Sequence, residues 1–221
     1  KQVKILETPQ EFYAKIMHGI EKSQRRLLLS SLYIGDSPLE CEMLVSLKKA
    51  LTDSTRPNLT CTINLDKARA ERSQGSGSGM IDEIIQELQS NYSSNRLRLG
   101  LYNCNPNRIP IPFPPIPNIR PPSTVQSLAS QINEVRGVYH VKYFVSDNDV
   151  LLTGANFSHE YFTSRKDRYI LFENAPHLAD FLQEFNDCVY DSCEKSGQSA
   201  TATDVQEKKR LTDLTNPPQS P

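Results

Sequence analysis

An excess of charge of either sign is the first thing the sequence lacks: 25 Lys and Arg stand against 26 Asp and Glu over 221 residues, a formal net charge of -1. Nucleic-acid-binding domains usually carry a basic excess or stripe. No nucleic-acid partner is therefore expected, and any phosphate chemistry has to come from a local site. Long apolar runs are also missing. The best, Leu27 to Gly35, is about one strand long and contains serines, well short of the roughly 18 residues a membrane span needs; membrane contact is expected to be peripheral. The five cysteines, Cys41, Cys61, Cys104, Cys188 and Cys193, include no C-x-x-C pair and no Cys/His cluster of zinc spacing. No metal site is expected from them, and they read as reduced thiols. Nothing before Val3 resembles a signal peptide or an Arg-rich transit segment. The chain opens on Lys1 and reads as processed, cropped or partial.

What is present is an α/β rhythm. Thr8-Pro9-Gln10-Glu11 has the form of a capping box with proline at the first helical position, and Phe12, Ile16, Met17 and Ile20 then recur at helical spacing. Arg25 to Ile34 reads as a buried strand ending at Gly35, and Ser37-Pro38-Leu39-Glu40 repeats the capping signature before Leu44, Leu47 and Leu51. Leu59, Cys61, Ile63 and Leu65 alternate as a strand, Met80 to Tyr92 has helical spacing, and Leu97, Leu99 and Leu101 alternate again. Phe181, Leu182 and Phe185 read as a core-facing helix stripe.

Two stretches interrupt this pattern. Residues 73–79 form a Gly/Ser run with the composition of a flexible loop. Eight of the fifteen prolines lie between Pro106 and Pro122, where repeated loss of the N–H donor forbids helix or central strand, so 105–123 reads as a Pro-rich loop. Residues 196–221 have the composition of a disordered tail after a domain over 1–195.

The chemistry concentrates in Val138 to Phe172. Strand alternation puts His140, Lys142 and Phe144 on one face and Val141, Tyr143 and Val145 on the other, so an imidazole and an ammonium emerge side by side. Asp147-Asn148-Asp149 supplies turn chemistry, and Thr153-Gly154-Ala155-Asn156 closes a hairpin with a backbone that a ligand can approach closely and an amide that can anchor it. A neutral imidazole can attack phosphorus while Lys and Asn hold the oxygens whose charge must be stabilised.

The pattern H-x-K-x4-D-x6-G-x-N resembles the phospholipase D superfamily motif. The segments EFYAKI, LLLSSLYIG with PLE, NEVRGVYHVKYFVSDNDVLLTGANFS and YFTSRKDRYILF resemble one branch of it, the eukaryotic CDP-diacylglycerol–glycerol-3-phosphate 3-phosphatidyltransferases. The resemblance implies the phospholipase D fold, a mixed β-sheet flanked by helices, with one motif-bearing half present. It implies His140, Lys142 and Asp147 as catalytic residues, and Gly154, Asn156, Arg69 and Arg168 as phosphate-binding residues. The implied substrates are CDP-diacylglycerol and glycerol 3-phosphate, giving phosphatidylglycerophosphate and CMP through a phosphohistidine, on the peripheral surface of the mitochondrial inner membrane.

Superfamily members pair two such motifs. His18, His159 and His177 have no Lys two residues on, so a second half or a second copy of the chain is implied. Ala155 stands where serine is common, which removes one hydroxyl from the expected phosphate side. The GDSPLECE segment, Gly35, Asp36, Ser37, Pro38, Leu39, Glu40, Cys41 and Glu42, falls where the family is sometimes credited with a nucleotide contact. Its carboxylates oppose phosphate, however, and a helix cap explains it better. No cofactor is required by the transfer, and ATP binding is doubtful. Two alternatives remain at this level: a non-catalytic half-domain that binds lipid phosphate, and a homodimeric phosphodiesterase of the same superfamily.

Overall fold

The computed structural model describes residues 2–73, 96–103 and 138–195. The helix expected over Met80–Tyr92, most of the Gly/Ser run, the Pro-rich stretch, Cys104 and the tail lie outside them. Within them the elements run β1 (Gln2–Leu6), α1 (Pro9–Lys22), β2 (Arg26–Ser31), α2 (Pro38–Thr52), β3 (Thr60–Asp66), α3 (Lys67–Ser73), β4 (Leu97–Tyr102), β5 (Tyr143–Ser146), β6 (Asp149–Thr153), α4 (His159–Thr163), β7 (Tyr169–Glu173), α5 (Pro176–Ser192) and β8 (Glu194–Lys195). The strands form one mixed sheet in the order β1-β7-β6-β5-β2-β3-β4-β8. β2, β3 and β4 are parallel, and β2 also pairs antiparallel with β5, which opens the β5-β6-β7-β1 antiparallel half.

The helix α1 starts as its sequence dictates: Thr8 caps it by accepting the Glu11 N–H at 3.2 Å, and Glu11 reaches back to the Glu7 N–H. Phe12, Ile16 and Ile20 are fully buried and join Leu27, Leu29, Leu44, Leu47, Phe144 and Leu151 in the larger core, between the sheet and α1, α2 and α4. The opposite face holds Leu28, Tyr143, Val145 and Val150 under Ala179 and Leu182 of α5. Phe144 and Tyr143 thus sit in different cores, as period-2 alternation requires.

Two local readings change. Phe181, expected in a core stripe, is 61% exposed; α5 points Ala179, Leu182 and Asn186 inward, and Phe181 falls about 100° around the helix from that line. Ser37 precedes α2 but makes no side-chain cap bond, and its would-be capping-box partner Glu40 is fully buried and accepts the His159 N–H instead. The edge strand β1 had no counterpart in the sequence reading.

Candidate active site

The C-terminal ends of the parallel strands β2 and β3 meet the entry to β5 and the exit of β6, the end of an α/β sheet where ligands gather. Ser30 of β2 is paired with Tyr143, so residues 138–142 run past the ends of β2 and β3. Lys142 accepts the Thr153 N–H on its carbonyl, which sets the H-x-K segment beside Gly154-Ala155-Asn156.

His140 is exposed. Partial desolvation, and then the charges of Lys142 and Arg69, hold its imidazole below the ordinary histidine range. The sequence gives Lys142 the same strand face, but the structure buries it to 6% exposure, with Nζ donating to the His140 carbonyl at 3.1 Å. Burial pushes its ammonium down to about 8, with Asp167 opposing the shift. An exposed imidazole, held toward its neutral form, therefore lies on the same short segment as a buried ammonium, a pairing of nucleophile and cation that can serve phosphoryl chemistry.

Asn156 is buried at 6% exposure, and its Oδ1 lies 3.4 Å from the Ser31 hydroxyl. The exposed Gly154 donates its N–H to Asp167 Oδ1 at 3.1 Å, and a Cβ at Gly154 would come within 2.5 Å of that oxygen. The glycine is required by this close approach. Gly154→Ala is expected to displace Asp167 and so weaken its hold on Lys142. About a tenfold fall in turnover with an almost unchanged melting temperature is the expected result of parallel kinetic and thermal assays. Ala155 is wholly buried in the larger core. A hydroxyl there would face apolar side chains, so the alanine takes nothing from the open side of the site.

Arg69 lies in the first turn of α3, close enough to His140 to act on its charge. Arg168 is exposed on the loop before β7, its N–H bonded to Asp167. His159 is exposed at the start of α4.

Asp147 is not brought to this site. It occupies the β5–β6 turn at the far end of the hairpin, with φ of 51°. Its carboxylate accepts the N–H groups of Gln24, Arg25 and Arg26 at 2.9, 2.8 and 3.1 Å. It ties the hairpin to the start of β2. Asp147→Ala leaves those donors unmatched and puts a β-carbon without a turn-forming polar group at positive φ. The expected cost is roughly 2–3 kcal/mol, read as a lower urea midpoint, while turnover per folded molecule changes little.

The GDSPLECE segment is committed to packing. The Gly35 N–H is used by the Phe157 carbonyl at 2.8 Å, and the Glu40 and Ser158 side chains both close on Gly35. Burial raises the Glu40 carboxyl above its usual range. Glu40 supports the loop that follows Asn156 from behind. Among the described residues no group of three His, Cys, Asp or Glu is placed to hold a metal ion.

No protein-family model matches the chain. The chain is 32% identical over 193 residues, 86% of its length, to the mitochondrial CDP-diacylglycerol–glycerol-3-phosphate 3-phosphatidyltransferase of Gallus gallus, and covers 31% of that protein. Among solved structures, phosphatidylserine synthase of Haemophilus influenzae superposes with a TM-score of 0.66 at 21% identity, over 96% of this chain and 43% of its own. Nuc of Salmonella typhimurium, a phospholipase D family member, superposes with a TM-score of 0.53 at 16% identity, over 89% of this chain and 99% of its own. The chain has the phospholipase D fold. This phospholipase D-fold chain spans about a third of the length of the curated relatives it matches.

Asp66 and Glu40 are the structurally engaged residues whose reach the sequence did not show. For Asp66 the sequence signal was its place at a strand end in Leu65-Asp66-x-x-Arg69, which resembles an L-D-x-x-R-G stretch of the family with Ala70 in place of the glycine; for Glu40 it was a carboxylate in a capping-box position.

Proposed function

We propose that this chain is the His140-bearing half of a phosphatidyltransferase that moves the phosphatidyl group of CDP-diacylglycerol to glycerol 3-phosphate. The observation that carries the proposal is the pairing of exposed His140 with buried Lys142, beside the Gly154–Asn156 turn, in a chain similar over most of its length to enzymes of that name. In the first step an imidazole nitrogen of His140 bonds to the lipid-side phosphorus, the pyrophosphate P–O bond breaks, and CMP departs. Lys142 and Asn156 hold the non-bridging oxygens, with Arg69 and Arg168 at the rim for the remaining phosphate charge. In the second step a hydroxyl of glycerol 3-phosphate bonds to the same phosphorus, its proton passes to a base, and the P–N bond breaks to restore His140. Protonation of the leaving oxygen and removal of the hydroxyl proton fall to a second motif-bearing half or a second copy of the chain. No ATP enters either step, because breaking the donor's pyrophosphate bond drives formation of the phosphodiester product. The relatives named as mitochondrial support a mitochondrial setting. The lipid donor supports a peripheral membrane surface, and among the described residues no helix is long and apolar enough to cross a membrane.

The test is CMP release from CDP-diacylglycerol vesicles with glycerol 3-phosphate, together with mass spectrometry after a mildly alkaline denaturing quench, which preserves a P–N bond, for a phosphatidyl adduct on His140. Adduct with CMP release is the expected result. A folded chain that forms neither, even with the second half supplied, overturns the proposal in favour of a lipid-phosphate-binding module. The match to nearly all of Nuc favours a second reading, a homodimeric phosphodiesterase. Hydrolysis of a chromogenic phosphodiester without glycerol 3-phosphate dependence would select it.

A further inference from the structure

We propose that Asp66 is a positioning residue that holds the His140 segment in register with Arg69. Asp66 ends β3 at 3% exposure, and its own N–H is fixed to the Leu32 carbonyl at 3.2 Å. One carboxylate oxygen, Oδ2, accepts the N–H of Tyr139, the residue before His140, at 2.9 Å. The other, Oδ1, accepts the N–H of Arg69 in the first turn of α3 at 3.1 Å. A single buried carboxylate thus bridges the segment that carries the nucleophile and the helix that carries the rim cation.

The segment is held from β2 as well. The Tyr139 hydroxyl bonds to Ser30 Oγ at 2.7 Å, and Ser30 Oγ donates to the Val141 carbonyl at 2.8 Å. The residues on both sides of His140 are therefore anchored to the central parallel strands, and its side chain is left free to react. Two converging N–H donors need two acceptor oxygens. Asparagine offers one oxygen and turns an NH2 group against the second donor. The Asp66 bridge also keeps the imidazole near Arg69 on α3, one of the two cations that act on it.

The inference rests on the proposed function only for the attacking role of His140, so its test needs no substrate. In the full chain carrying Asp66→Asn, the four histidines are titrated by NMR alongside thermal unfolding. The His140 midpoint is expected to move upward as the segment swings away from Arg69 and into water, while His18, His159 and His177 titrate as before. In the transfer assay turnover should fall roughly 10- to 100-fold, with a smaller change in KM. A folded variant whose His140 titrates as in the parent, or in which all four midpoints move together, overturns the proposal. Should Asp66→Asn not fold, Asp66→Glu keeps both oxygens on a longer arm and is read by the same criteria.

Discussion

His140→Ala is expected to abolish CMP release, with a loss of about 10³-fold or more, and to leave the affinity for CDP-diacylglycerol close to that of the parent. Binding survives because Lys142 and Asn156 are positioned without the imidazole: Lys142 is buried and bonded to the backbone carbonyl of residue 140, and Asn156 is fixed in the G-x-N turn near Ser31. Chemistry fails because no other histidine among the described residues shares the H-x-K geometry. Substrate binding is followed by vesicle co-sedimentation and turnover by CMP release. Turnover within tenfold of the parent would remove His140 from the reaction. In the parent, the low-lying imidazole predicts an ascending limb in kcat/KM at a pH below that of an ordinary histidine.

Lys142→Met is expected to move activity and stability in opposite directions. The ammonium has a pKa of about 8 in the folded chain against 10.5 when unperturbed, with burial as the main cause. Below pH 8 the folded state carries a poorly solvated charge that the unfolded chain hydrates, a cost on the order of 3 kcal/mol. Between about pH 8 and 10.5 the unfolded state binds more protons, so stability rises with pH across that window and is flat below it. Methionine fills similar space without the charge, so the variant should gain roughly 1–3 kcal/mol at pH 7 and lose that rise. Activity should meanwhile fall roughly 10²- to 10³-fold, because the cation on the non-bridging oxygens is gone. Urea midpoints at pH 7 and pH 9.5, with turnover at pH 7, check all three statements. A destabilised variant would mean that the Nζ contact with the His140 carbonyl outweighs the desolvation. The same titration predicts a descending limb near pH 8 in kcat/KM of the parent.

Local pattern made much of the site legible. The H-x-K segment, the turn chemistry and the G-x-N closure all lie within seventeen residues, and the β5–β6 hairpin between them follows from local periodicity; His140 and Lys142 themselves precede β5, so strand alternation did not foretell that one is exposed and the other buried. The apolar spacing of α1 and the alternation of β3 and β4 were equally direct. What depended on distant partners was not legible. Asp147 sits at the conventional place in the motif, yet its partners are the Gln24–Arg26 amides, more than 120 residues away in sequence. Glu40 looks like a capping-box carboxylate until α4 is packed against it. The exposure of Phe181 depends on how α5 is rotated over the sheet, and a stripe three or four residues apart does not fix that rotation. β1 lacks turn signals or a long apolar run, and it is defined by its pairing with β7.

The antiparallel pairing of β2 with β5 is a seam in time as well as in space. It joins residues 27–30 to 143–146, the two halves of the sheet meet there, and His140 lies just before it. Contacts between segments so distant in sequence close late, because the entropy of the intervening loop must be overcome first. His140 is therefore expected to stay apart from Arg69 until both halves have formed. A chain cut between residues 103 and 138 would separate Arg69 and the parallel strands from the H-x-K hairpin, and recovery of activity on mixing the pieces would report the closing of this one pairing.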